Sequence, residues 1–134
     1  MTARIFVLED HAAMRESLVA LMEDLPDTEV CGAAATAEEA LPKLAETDAD
    51  LVLVDIQLPG MSGLEFVREA QQRWPGLLCL VLTGHDETAY MLNAFSQGAH
   101  GFVRKGNTER LKEAITSMLG RPPPGAVAAK PSRP

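Results

Sequence analysis

Short continuous apolar runs alternate along this chain with longer stretches in which apolar residues recur every three or four positions. Ile5-Phe6-Val7-Leu8 is the first run. A helical pattern from about His11 to Asp24 follows, with Met14, Leu18, Leu21, Met22 and Leu25 on its inward face. Val30 to Ala34 predicts a weak second strand. Thr36 and Glu39 then stand at the spacing of a capping box, in which hydroxyl and carboxylate satisfy N–H groups left free at a helix start. The second helix carries Pro42, which lacks an amide hydrogen and crowds the preceding turn, so a kink or an early end is expected there. Leu51-Val52-Leu53-Val54 reads as a central strand covered on both faces. Helix from about Gly63 to Trp74, strand over Leu78 to Leu82, helix from about Glu87 to Gln97, strand over Gly101 to Val103 and helix over Thr108 to Leu119 complete the series.

Five strands alternating with five helices imply right-handed crossovers and a doubly wound α/β fold, a five-stranded parallel sheet sandwiched between helices. In such sheets functional groups gather beyond the carboxyl ends of the strands, where strand order reverses.

Composition narrows the picture. A chain of 134 residues with 46% hydrophobic and 23% charged residues fits one ordered domain rather than a disordered segment. A net charge of −7 argues against a nucleic-acid surface, which needs Lys and Arg to neutralise phosphates. No apolar run approaches the roughly 20 residues that span a bilayer. Met1-Thr2-Ala3-Arg4 leads straight into the first strand without the apolar core of a signal peptide. Cys31 and Cys79 lie in apolar stretches without metal-ligand spacing, so both are expected as small buried hydrophobes in a reducing cytoplasm. Past Gly120 the pattern stops. Residues 1–120 form the expected domain, and the proline-rich 121–134 an extended tail or the start of a linker.

The strand ends carry the chemistry. Glu9 and Asp10 follow the first strand, Asp55 ends the third, Thr83 ends the fourth, and Lys105 closely follows the fifth. Three crowded carboxylates repel, and one should have a raised pKa unless a cation relieves them. Mg²⁺ suits the task because it takes few protein carboxylates and keeps its waters. An ionised Asp55 is a nucleophile that needs no general base. Phosphoryl transfer requires positioning and neutralisation of the equatorial oxygens, which Mg²⁺, the Lys105 ammonium and the Thr83 hydroxyl are suited to provide.

Over about residues 4 to 119 the chain closely resembles the receiver domain of bacterial two-component response regulators, which implies a flavodoxin-like (βα)5 fold. Four segments carry the resemblance: Glu9-Asp10-His11 with Arg15, Asp55 through Pro59, Gly60 and Gly63, Leu82-Thr83-Gly84-His85, and Gly98 through Phe102 to Lys105. The first of them is similar to the subfamily often fused to a helix-turn-helix output domain. The resemblance implies Asp55 as phosphoacceptor, Asp10 as direct metal ligand, and Glu9 acting on the metal largely through water. It further implies the Gln57 backbone carbonyl in the metal shell, Thr83 and Lys105 on the phosphoryl group, and Phe102 as a switch aromatic with Thr83.

Two positions depart from the family pattern. Glu9 stands where Asp is commoner, and Gly106 follows Lys105 where many members have a proline after a cis bond. A non-proline cis bond costs about 3–4 kcal/mol, so Lys105–Gly106 is expected trans.

The plain alternatives are a turn-capping Asp55, a core Phe102 and a β-branched strand residue at Thr83. His11, His85 and His100 form no ligand cluster by spacing, and His85 is expected near the site rim, tuning access or dephosphorylation. Met61 and Trp74 are expected to pack. The resulting expectation is a signalling module, not an enzyme in the usual sense. It takes a phosphoryl group from a sensor histidine kinase or phosphotransfer protein and switches conformation to control an output such as transcription. A homodimer formed on phosphorylation is compatible with this. Rival readings are a stand-alone phosphorelay shuttle and an aspartyl-phosphate phosphohydrolase. The latter would want an acid two residues after Asp55, where Gln57 stands.

Overall fold

The computed structural model describes residues 2–84 and 88–120. In chain order the elements are β1 (Ala3–Leu8), α1 (Ala12–Asp24), β2 (Thr28–Ala34), α2 (Ala37–Ala45) and β3 (Leu51–Asp55), then α3 (Gly63–Arg73), β4 (Leu78–Thr83), α4 (Thr88–Ser96), β5 (Gly101–Arg104) and α5 (Thr108–Met118). The strands form one parallel sheet in the order β2-β1-β3-β4-β5. This is the expected flavodoxin-like receiver architecture. The order reverses between β1 and β3, which opens a crevice at their carboxyl ends.

Alternation along each strand feeds two cores. Phe6, Leu8, Val52, Val54, Cys79 and Val81 face α2, α3 and α4, meeting Leu41, Leu44, Phe66, Val67 and Ala94. Ile5, Val7, Leu51, Leu53, Leu80 and Leu82 face the other way, onto Leu18 and Met22 of α1 and Leu111 and Ile115 of α5. Each large side chain buried this way contributes about 1.5–3 kcal/mol, so the two layers hold β1, β3 and β4 rigidly behind the site. Met61 and Trp74 pack at the margin of the first core, as expected.

The weak apolar signal of β2 has a structural reason. Ile5 pairs with Val30 but Phe6 pairs with Gly32, so Cys31 is an extra residue in the ladder. A Cβ on Gly32 would come within 2.8 Å of the Phe6 ring. Cys31 is therefore only half-buried at the sheet edge, while Cys79 is buried, and both are free thiols.

Two local expectations need correction. Of the kink or early end expected at Pro42, the early end does not occur, and helix α2 runs on to Ala45. Leu41 and Leu44 anchor it in the core, and Pro42 lies on the exposed side, where a carbonyl left without a donor is open to solvent. The Thr36 capping box is half made: Thr36 Oγ1 accepts the Glu39 N–H at 3.1 Å, but the Glu39 carboxylate pairs with Lys43 at 3.0 Å. A complete box forms instead at Ser62 and Glu65, which start α3.

Lys105–Gly106 is trans, as expected, and no cis peptide occurs among the described residues. Gly106 takes φ +88°, a left-handed conformation that a proline could not adopt. His85, Glu87 and residues 121–134, on which some expectations rested, lie outside the described residues. Among the described residues no helix is long and apolar enough to cross a membrane.

Candidate functional site

The crevice between β1 and β3 gathers the acidic residues. Glu9 extends β1 by one rung, its N–H bonding the Ala34 carbonyl at 3.1 Å, and its side chain is fully buried. Glu9 Oε2 accepts the His11 N–H at 3.2 Å, and Oε1 meets Lys105 Nζ at 2.8 Å. Arg15, one turn into α1, donates to the carbonyls of Glu9 at 2.8 Å and Asp10 at 3.4 Å, folding the acidic loop back on its helix.

Asp55 ends β3 and is buried. Its Oδ1 accepts the Gln57 N–H at 3.0 Å, and Oδ2 lies 3.0 Å from Lys105 Nζ. Helix α3 begins close behind it, since a Cβ on Gly63 would collide with the Asp55 carbonyl. The intervening loop is pinned from α2, where Glu38 Oε2 accepts the Met61 N–H at 2.9 Å. That loop also passes through Gly60 at φ +73°. Lys105 is placed by its own backbone, whose N–H bonds the Thr83 carbonyl at 2.6 Å.

One ammonium thus bridges two buried carboxylates. Burial alone would depress the Lys105 ammonium, but its bonds to Glu9 and Asp55 raise it above its ordinary value. Burial also pushes the Glu9 carboxyl up, yet the Lys105 ammonium and the His11 N–H outweigh it and hold Glu9 low. Asp55 takes the opposite outcome. Burial, reinforced by the Glu9 charge, overrides the Gln57 N–H and Lys105 and pushes it up to about 6. The raised carboxylate expected of the cluster is therefore Asp55.

Asp10 completes the set. Its Oδ1 is shut from solvent and receives no hydrogen bond. Atoms of Glu9, Asp10, His11 and Asp55 that are able to ligate all lie within 4.8 Å of one another. An unserved buried oxygen beside a carboxylate forced towards protonation is a donor set that fits a hard divalent cation.

Thr83 is buried at the end of β4. Val81 pairs with Phe102 and Thr83 with Arg104, so strand alternation puts the Thr83 and Phe102 side chains on one face, that of α4. Phe102 is half-buried against the core there.

Residues 5–116 match the family model for the response regulator receiver domain. The chain belongs to that family. It is 34% identical over 102 residues to the DNA-binding transcriptional activator DevR/DosR of Mycobacterium tuberculosis, covering 76% of this chain and 47% of that protein. It is 30% identical over 113 residues to the transcriptional regulatory protein DegU of Brevibacillus brevis, covering 84% of this chain and 48% of that protein. Among solved structures, a LuxR-family response regulator from Aurantimonas sp. SI85-9A1 is 38% identical with a TM-score of 0.85, over 90% of this chain and 88% of that one. The chain spans about half the length of these curated relatives. It also matches a protein-glutamate methylesterase/protein-glutamine glutaminase of Rhodopseudomonas palustris at 32% identity, over 86% of this chain but only 33% of that protein.

In this receiver domain Glu9, Asp10, Asp55 and Lys105 converge from three strand ends, with Thr83 at the neighbouring one. Sequence spacing missed two participants. The histidines are far apart in the chain, so spacing gives His11 no ligand signal, yet its ring meets carboxylates rather than other histidines. Glu38 gave no signal, because its partner Met61 is 23 residues away. His100 lies at the opposite end of the sheet, its Nδ1 accepting the Cys79 N–H at 3.2 Å.

Proposed function

We propose that Asp55 accepts a phosphoryl group from a phosphohistidine on a sensor histidine kinase or phosphotransfer protein. The supporting observation is the placement of Lys105 Nζ, 3.0 Å from Asp55 and 2.8 Å from Glu9 at the mouth of the crevice. An Asp55 oxygen attacks phosphorus, the P–N bond breaks, and the donor imidazole leaves with the bonding pair. Lys105 neutralises one developing phosphoryl charge and the Thr83 hydroxyl serves another oxygen. Asp10, Asp55 and the Gln57 carbonyl would hold Mg²⁺ with Glu9 in the outer shell, and the ion supplies positive charge against the phosphoryl oxygens when bound. Both Glu9 oxygens already face protein donors, Lys105 and the His11 N–H, which favours an outer-shell place.

Gln57 offers no acid or base to hydrolyse the acyl phosphate, so the product is a signal rather than turnover. The signal passes through Thr83 and Phe102 to the α4, β5 and α5 surface, where phosphorylation also favours a homodimer. The transcriptional relatives, about twice as long, point to a DNA-binding output in a cytoplasmic regulator, with no nucleic acid bound by this domain itself.

The test is acetyl phosphate with Mg²⁺ followed by intact mass. One acid- and base-labile phosphoryl group is expected on the native chain and none on Asp55→Asn. Full modification of the Asn variant would remove the assignment.

A further inference from the structure

His11 stands at the N-cap of α1 but makes no capping bond with its side chain. Its ring turns instead towards the acidic crevice, where Nδ1 lies 3.4 Å from Glu9 Oε2 and 3.4 Å from Asp10 Oδ1. The side chain is 75% exposed, so it is free to adjust over the mouth of the site. Beneath it Glu9 is fully buried, and Asp10 Oδ1 is sealed from solvent with no hydrogen bond, apart from its 3.4 Å contact with the ring. Metal bonds of about 2.1 Å put opposite ligands about 4.2 Å apart. The ligating atoms of Asp10, His11 and Asp55 already lie within 4.8 Å of one another, so a closure of a few tenths of an ångström, taken up by the exposed ring, brings nitrogen and oxygens into one shell with Glu9 outside it.

Resting on the metal reading above, we propose that His11 is an imidazole ligand that gives this pocket a preference for first-row transition ions in the place where Mg²⁺ binds. Mg²⁺ is hard and takes oxygen donors, so it gains little from the ring. Imidazole suits Ni²⁺, Cu²⁺ and Zn²⁺, whose affinities for a mixed N and O site stand at the upper end of the divalent series. The ring also competes with the alternative of merely hydrogen-bonding the carboxylates, a role that would not distinguish one ion from another.

The experiment is calorimetric titration of the full chain with MgCl₂ and, separately, NiCl₂, on the native protein, His11→Ala and Asp10→Asn. The native chain should bind both ions, and Asp10→Asn should weaken both. His11→Ala should lose at least about tenfold in Ni²⁺ affinity, the scale of a shell residue in a metal site, while Mg²⁺ affinity stays within about twofold. Retained Mg²⁺ binding shows that the variant is folded. Equal affinities for both ions in His11→Ala and the native chain would overturn the ligand role. An equal loss for both would also overturn it, assigning His11 to shaping the loop. Failure of the native chain to bind Mg²⁺ is a different result, which would remove the underlying metal reading itself.

Discussion

Two buried carboxylates share one ammonium in this site, and the imbalance falls on a single residue. Asp55 sits at about 6 against an ordinary 3.8 because burial and the Glu9 charge together outweigh its donors. Its folded form therefore holds a proton more tightly than the unfolded chain does. The stability from this group is present in acid, and it is lost as pH rises from the unfolded value towards about 6. At neutral pH the ionised Asp55 is a net cost. Asp55→Asn should accordingly stabilise the metal-free protein at pH near 7 by about 2 kcal/mol. The gain should shrink in acid. Urea unfolding of both proteins at the two pH values measures it, and an Asn variant less stable at neutral pH would show that Lys105 balances the cluster unaided. The same reasoning makes a small donor react more slowly with the metal-free protein as pH falls through about 6, since protonated Asp55 is no nucleophile.

At the scale of elements, the site depends on how α3 starts. The loop from Asp55 to Ser62 must leave β3, turn through Gly60 and deliver Gly63 against the Asp55 carbonyl. Two devices hold it. Glu38 reaches over from α2 to the Met61 N–H, and Ser62 and Glu65 exchange reciprocal bonds of 3.2 and 3.1 Å at the helix N-terminus. Ser62→Ala removes one acceptor and leaves the Glu65 N–H unserved. The expected loss is about 1 kcal/mol in chemical denaturation, together with faster amide exchange at Glu65. Stability unchanged within error would mean that packing of Phe66 and Val67 alone sets the start of α3. Thr36 should matter less, because only one half of its box is formed.

Across the whole molecule, the question is how a charge event in the crevice reaches a distant surface. β4 and β5 offer a short path, since Thr83 and Phe102 share the α4 face and lie two residues apart in register. A Thr83 hydroxyl drawn towards a phosphoryl oxygen would leave room on that face, into which the half-buried Phe102 ring is expected to move. Helix α4 carries Leu92 and Phe95 on the surface, 62% and 44% exposed, so a shift there changes an apolar patch. A few kcal/mol of differential interaction suffices to move such a two-state equilibrium. Thr83→Ala should therefore still take up phosphate on Asp55 but transmit it poorly. Structures of the free and beryllofluoride-bound forms check the ring directly. The same Phe102 rotamer in both would make it a static core residue.

Much of this was legible without coordinates, because it depends on local periodicity and on one geometric rule. The alternation of apolar runs with amphipathic stretches determined ten elements, and parallel crossovers oblige every strand to end on the same edge. That alone brought Glu9, Asp10, Asp55, Thr83 and Lys105 to one side of the sheet. Tertiary structure decided what periodicity does not encode. The strand order set which ends become neighbours. The extra residue at Cys31 and the bare Cα of Gly32 answered to the Phe6 ring across the strand boundary. Pro42 stayed inside its helix because buried Leu41 and Leu44 outweigh one missing bond on the solvent side. The His11 ring and the Glu38 carboxylate found partners through loop geometry, and Asp55 acquired its raised affinity for a proton from the burial and neighbours that only packing creates. Local preference acts over a few residues, whereas these features arise from desolvation and contact between segments far apart in the chain.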